Sequence, residues 1–91
     1  MIVTIRGILT RKMPEEIVVE TSGLGYACRI SINTYDQLPK PGKEVSLLTY
    51  FHVMENSQAL FAFANETERE LFIMLIGVSG IGPKTAIVLL S

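Results

Sequence analysis

Between Ile2 and Phe63, apolar and polar positions alternate in short runs, the two-residue period of β-strands. The first run, IVTIRGILTRKM (residues 2–13), sets Ile2, Thr4, Arg6 and Ile8 against Val3, Ile5, Gly7 and Leu9 and is rich in β-branched residues. Gly7 inside it predicts a bend or bulge, which small closed barrels need. After Pro14, EIVVET supplies a second strand with Ile17 and Val19 on one face. SGLG (22–25) has turn chemistry. YACRISI (26–32) then forms a third strand, with Tyr26, Cys28, Ile30 and Ile32 on one side and Arg29 on the other. In NTYDQLPKPG (33–42), Asn33 or Thr34 caps a single helical turn that Pro39 and Pro41 end. EVSLLTYFHVM (44–54) presents Val45, Leu47, Thr49, Phe51 and Val53 on one face, and QALFAF (58–63) follows the tight connection ENS. The fourth and fifth strands thus form a hairpin with a polar tip at Glu55 and Asn56.

Five short strands with a small helical turn between the third and fourth is the element order of an OB-fold barrel. A five-stranded SH3-like barrel would differ mainly in where its helical turn falls. After Ala64 the period changes. NETERELFIMLIG (65–77) has Asn65 or Thr67 as N-cap, Glu66, Glu68 and Glu70 near the positive end of the helix dipole, and Leu71, Phe72, Leu75 and Ile76 as core positions at helical spacing. Gly77 is the expected C-cap. PKTAIVLLS is helical again, with Pro83 at the first position, where its missing N–H costs nothing. The fold class is therefore β plus α: a barrel domain over residues 1–64, then the start of a helical domain over residues 65–91. The last residues are apolar and stop in mid-helix, so the chain is expected to be an N-terminal fragment of a longer protein.

Ninety-one residues, 48% of them hydrophobic, describe a folded globular chain. Eight basic against nine acidic residues leave a net charge of -1, which does not advertise nucleic acid. Any contact with DNA must come from local clustering. The single cysteine, Cys28, excludes an internal disulfide, fits a reducing cytoplasm and is expected as a buried apolar filler. The N-terminus, MIVTIRG, lacks the long apolar core of a signal peptide. Residues 71–91 are apolar enough to raise a membrane span, but Gly80, Gly82, Pro83 and Lys84 fall in its middle. A charge there costs about 2.5–3.5 kcal/mol on insertion scales. Two short buried helices meeting at a turn account for the same composition, so no membrane association is expected. No nucleophile–base set, Walker sequence or metal cluster occurs, and His52 has no partner ligands beside it, so neither catalysis nor a cofactor or metal is expected.

Lys84 is the only charged residue after Glu70, and it directly follows the tightest turn in the chain. Helix, Gly80-Ile81-Gly82, helix is the layout of a helix–hairpin–helix motif. The glycines allow a sharp turn and leave room for a phosphate to approach, Ile81 tucks back between the helices, and the small Ala86 permits their close approach. The second helix begins at Pro83 with unused N–H groups. A cation in a first turn is mildly repelled by the dipole, and a bound anion reverses that penalty. A plain helical hairpin with a packing turn fits a bare G-x-G equally well; the full set favours sequence-independent phosphate binding.

The segments RGIL, GLGYACRI, LPKPGKEV, LFAFANETERELF and GIGPKTAIVLLS together closely resemble the RuvA family of bacterial Holliday-junction-binding subunits. The resemblance runs across the whole chain. It implies an OB-like barrel leading into a helical domain with two helix–hairpin–helix motifs, of which this chain holds the first. It further implies a homotetramer that holds an open four-way DNA junction, and a mobile third domain that binds the RuvB motor ATPase. Gly80, Ile81, Gly82, Pro83 and Lys84 would grip the phosphates of the duplex arms, and Arg29 would face the DNA. The tip between the fourth and fifth strands would stand at the junction centre as an acidic pin. Glu55 matches the first acid of that pin, but Asn56 stands where a second acid is usual. The implied activity is non-catalytic, serving branch migration in recombination and repair. Two other functions remain. A single-strand binder would need exposed aromatics on the barrel, with Tyr26, Tyr50 and Phe51 as candidates. An oligomerising scaffold would use the hairpin only as a packing turn.

Overall fold

Ile5, Leu9, Ile17, Val19, Cys28, Val45, Leu47, Leu60 and Ala62 all turn into one buried cluster, and their alternation curls the strands around it. The computed structural model describes residues 1–91 as β1 (Thr4–Lys12), β2 (Glu16–Thr21), β3 (Leu24–Arg29), α1 (Ile32–Gln37), β4 (Glu44–Met54), β5 (Ser57–Phe63), α2 (Glu66–Ile76) and α3 (Pro83–Leu89). The strands close in the order β1-β2-β3-β5-β4. β1 pairs antiparallel with both β2 and β4, while β3 meets β5 in parallel through Cys28↔Leu60 and Arg29↔Phe61. This is the OB-like barrel with a helical segment that the strand pattern predicted. β4 changes partners along its length: Glu44–Leu48 lie against β1, and Leu48–Met54 against β5, so Leu48 is paired on both sides. Thr49 still bonds Ile2 and Val3, and Phe51 still packs on the barrel cluster; beyond Phe51 the hairpin continues as an arm to the turn at Glu55 and Asn56.

A second cluster forms on β5, where Phe61 and Phe63 receive Phe72 of α2 and Ala86 of α3. The Phe72 ring lies 4.9 Å from that of Phe61, 5.0 Å from Phe63 and 5.6 Å from Tyr50, the last edge-on. Such offset and edge contacts each add about 0.5–1.5 kcal/mol beyond the area they bury. The helices therefore share a core with the barrel. No helix is long and apolar enough to cross a membrane, since residues 71–91 divide into α2, a turn and α3.

Several local expectations are corrected. Gly7 makes no bulge; the irregularity in β1 lies between Leu9 and Arg11. Gly7 instead lets β2 approach, because a Cβ there would collide with the Glu20 carbonyl. β3 ends at Arg29, and the N-cap of α1 is Ser31, whose Oγ accepts from the Thr34 N–H at 3.1 Å, not Asn33 or Thr34. That earlier start turns Ile32 outward, where it is exposed. Val53 is exposed too, because the arm has left the barrel interior. Leu71 is 46% exposed. The strip of α2 that faces the barrel is centred on the neighbouring Phe72, and one residue rotates a helix by about 100°.

Candidate nucleic-acid interface

The turn between α2 and α3 takes its shape from one glycine. Gly80 has φ +88, a left-handed conformation that costs other residues about 1–2 kcal/mol. Gly82 is ordinary in this respect: it is the N-cap of α3 at φ -92, ψ 174, with no side chain to bond the helix amides. A Cβ on either glycine would meet nothing within 4 Å, so both face open space. Ile81 lies half-buried against the Phe61, Phe63, Phe72 and Ala86 cluster and anchors the turn. Its N–H is used internally, donating to the Val78 carbonyl at 3.1 Å. The amides of Gly80, Gly82, Lys84 and Thr85 have no protein partner, and all four residues are exposed. Pro83 has no N–H to satisfy.

Two grooves adjoin this turn. One, of ≈ 460 Å³, runs between the hairpin arm and the start of α3; its walls include His52, Met54, Gln58, Gly82, Lys84 and Thr85. The other, of ≈ 480 Å³, passes between the end of β3 and α3. Arg29 and Lys84 line both. Neither cation is paired, because the only ion pair in the chain is Arg69–Glu66, at 3.6 Å. Met54 and Ser57 flank the tip, so Glu55 and Asn56, both exposed, stand at one end of the first groove and the glycine turn at the other. The structure thus brings Arg29 to the hairpin residues and sets the tip apart from them.

The sequence has a counterpart. Residues 1–62 match the family model described as RuvA N terminal domain. The chain belongs to the RuvA family. It is 50% identical over 86 residues to the Holliday junction branch migration complex subunit RuvA of Chlorobium phaeobacteroides, covering 94% of this chain and 43% of that protein. Its identity to proteins of the same name from Marinobacter nauticus and Chlorobaculum parvum is 48% over 91 residues, all of this chain and 44% and 45% of theirs. The chain spans less than half the length of these RuvA relatives.

For this RuvA family member, the aromatic candidates for base stacking do not form a platform. Tyr26 and Phe51 pack half-buried against the barrel cluster and Tyr50 against the helical one, and no aromatic side chain is exposed. His52 is half-buried beside Tyr50, with ring centroids 6.2 Å apart. No group of three or more His, Cys, Asp or Glu residues comes close enough to hold a metal. Cys28 is fully buried, and burial, with a smaller push from the Glu16 charge, raises its thiol from 9.0 to about 12. It is inert filler. His52, Gln58 and Thr85 were not singled out for this interface; only the folded hairpin brings them to the groove.

Proposed function

We propose that this chain is the junction-gripping part of a RuvA-type subunit: it binds four-way DNA junctions by their structure, without reading sequence, and catalyses nothing itself. The observation that carries the proposal is the exposed turn whose four unpartnered amides adjoin two unpaired cations, Lys84 and Arg29. Phosphate oxygens are the natural occupants of such a site, since they accept from backbone amides and are attracted by both charges. Gly80, Ile81, Gly82, Pro83 and Lys84 form the clamp, and Arg29 extends it along the groove. Residues 1–64 act as the barrel domain that carries the tip, and residues 65–91 begin the helical domain that carries the clamp.

In this reading four copies surround the crossover, each presenting Glu55 at the centre. A carboxylate about 8 Å from a phosphate in water is repelled by roughly 0.5 kcal/mol. Asn56 contributes no charge, so the tip holds the crossover open with half the repulsion of a two-acid pin. An ATP-driven motor of the RuvB type supplies the work of branch migration and docks elsewhere on the full-length protein. The packed positions of Tyr26, Tyr50 and Phe51 argue against a single-strand binder. Competition binding of the full-length protein tests the proposal. Four-way junctions should displace linear duplex and single strands of equal length, with native mass giving four copies per complex. A preference for single strands would overturn it.

A further inference from the structure

The most completely buried charge-bearing side chain lies away from the grooves. Glu68, on the first turn of α2, is 4% exposed and makes no ion pair. Its Oε2 accepts from the Ser31 hydroxyl at 2.7 Å, and its Oε1 accepts from the Thr34 hydroxyl. Both hydroxyls already accept an amide hydrogen bond: Ser31 from the Thr34 N–H at 3.1 Å, Thr34 from the Ala64 N–H at 3.2 Å. Each hydroxyl is thereby left with its proton to donate. The two hydroxyls reach different oxygens, so the partner must supply two acceptor atoms, which a carboxylate does and an amide, with one oxygen and one NH₂, does not. The Glu68 N–H is fixed in turn by the Asn65 side chain at 2.9 Å. One buried network therefore joins α1 of the barrel, the end of β5 and the start of α2.

We propose that Glu68 is a positioning residue for the DNA site: clamped by Ser31 and Thr34, it sets the angle at which α2, the glycine turn and α3 leave the barrel. Aromatic contacts hold α2 against β5 but are weakly directional, whereas two charge-assisted hydrogen bonds fix both position and rotation. The alignment of Lys84, on the helical segment, with Arg29, on the barrel, depends on that angle. The inference rests on the proposed function only for its consequence in DNA binding. The geometric part stands alone.

The test uses spin labels on cysteines introduced at Lys40 and Ser79, both exposed, with Cys28 left in place because its buried thiol does not compete for the reagent. Pulsed-resonance distances are measured on the full-length protein for Glu68→Gln, Thr34→Val and Thr34→Ser, with thermal melts to confirm folding. Thr34→Ser retains the hydroxyl and should reproduce the unsubstituted distance distribution. Glu68→Gln and Thr34→Val should broaden or shift it, and should weaken four-way junction binding about tenfold, as expected when a preorganised site loosens. If Glu68→Gln does not fold, the valine and serine pair decides. Distributions in Glu68→Gln and Thr34→Val that superimpose on the unsubstituted one overturn the positioning role. A changed distribution, in a protein that does not bind junctions even when unsubstituted, leaves positioning intact and removes the proposed function instead.

Discussion

Arg29 and Lys84, one at the end of a barrel strand and the other in the first turn of the last helix, line the same two grooves, and neither forms an ion pair, although Glu15 and Glu16 lie beside Arg29. A chain of net charge -1 thus carries a local pair of free cations where its backbone amides are also free. Reversing either charge should expose that concentration. Lys84→Glu is expected to lower junction affinity about tenfold or more at moderate salt, and Arg29→Glu to lower it as well. Titrating salt in a binding assay on the full-length protein should show each substitution flattening the slope of log affinity against log salt by about one per chain. An unchanged affinity for Lys84→Glu would leave the turn as a packing element only.

The two glycines of the turn have separable roles. Gly80→Ala forces a side chain into positive φ and should cost about 1–2 kcal/mol, visible as a lower melting temperature. Gly82→Ala meets no strain and no neighbour and loses only the preference of an N-cap for glycine over alanine, so it should cost less than Gly80→Ala, about 1 kcal/mol or below. It should still weaken junction binding, because the new methyl group stands where a phosphate approaches. Melts and binding isotherms of the two variants side by side would reveal whether stability and affinity part company in this way.

Asn56→Asp adds a second carboxylate to the exposed tip. Each new repulsion is worth about 0.5 kcal/mol at ~8 Å, so the fraction of open base pairs at the crossover should rise about twofold per contact. A fluorescent base analogue beside the crossover reads this directly. An identical signal in both proteins would mean that position 56 does not face the strands.

The thiol of Cys28 provides a probe of barrel integrity. At neutral pH it should resist alkylating reagents until the barrel unfolds, so labelling rate reports global opening. Its folded value is raised above the unfolded one, so its contribution to stability is complete below pH 9.0. That contribution is lost as pH rises from 9.0 towards about 12. Cys28→Ala, compared by urea melts at pH 7 and pH 10.5, should lose less stability relative to the unsubstituted protein at the higher pH.

The barrel was legible because β1, β2 and β4 alternate, and Ile5, Leu9, Ile17, Val19 and Leu47 fall inside as that pattern requires, whereas β5 buries residues 60–63 on both faces. The helix–turn–helix layout was legible for a similar reason, since Gly80, Gly82 and Pro83 punctuate it. Thr34 is not the cap expected, and Glu68, though in the first turn as expected, does more there than complement a dipole. A threonine before a short helix fits a cap, and a glutamate in a first turn fits a dipole partner, so local rules accounted for both and left no residue asking for a tertiary contact. Leu71 shows the opposite failure. An 11-residue helix with apolar residues all round does not declare which side is covered, and Met74 at 69% exposure lies with Leu71 on the open side. The meeting of Arg29 with Lys84 is purely tertiary. It depends on β3 lying parallel to β5 and α3 folding back over Phe61, neither of which leaves a periodic trace.

Because Leu48 is held from both flanks and the chain runs on without a break to Met54, the tip is a cantilever built into the wall rather than a finger on a joint. Force applied at Glu55 has no loop in which to dissipate and is borne by the whole ring of staves. In the proposed function, a strand of DNA drawn past that point would meet a fixed post.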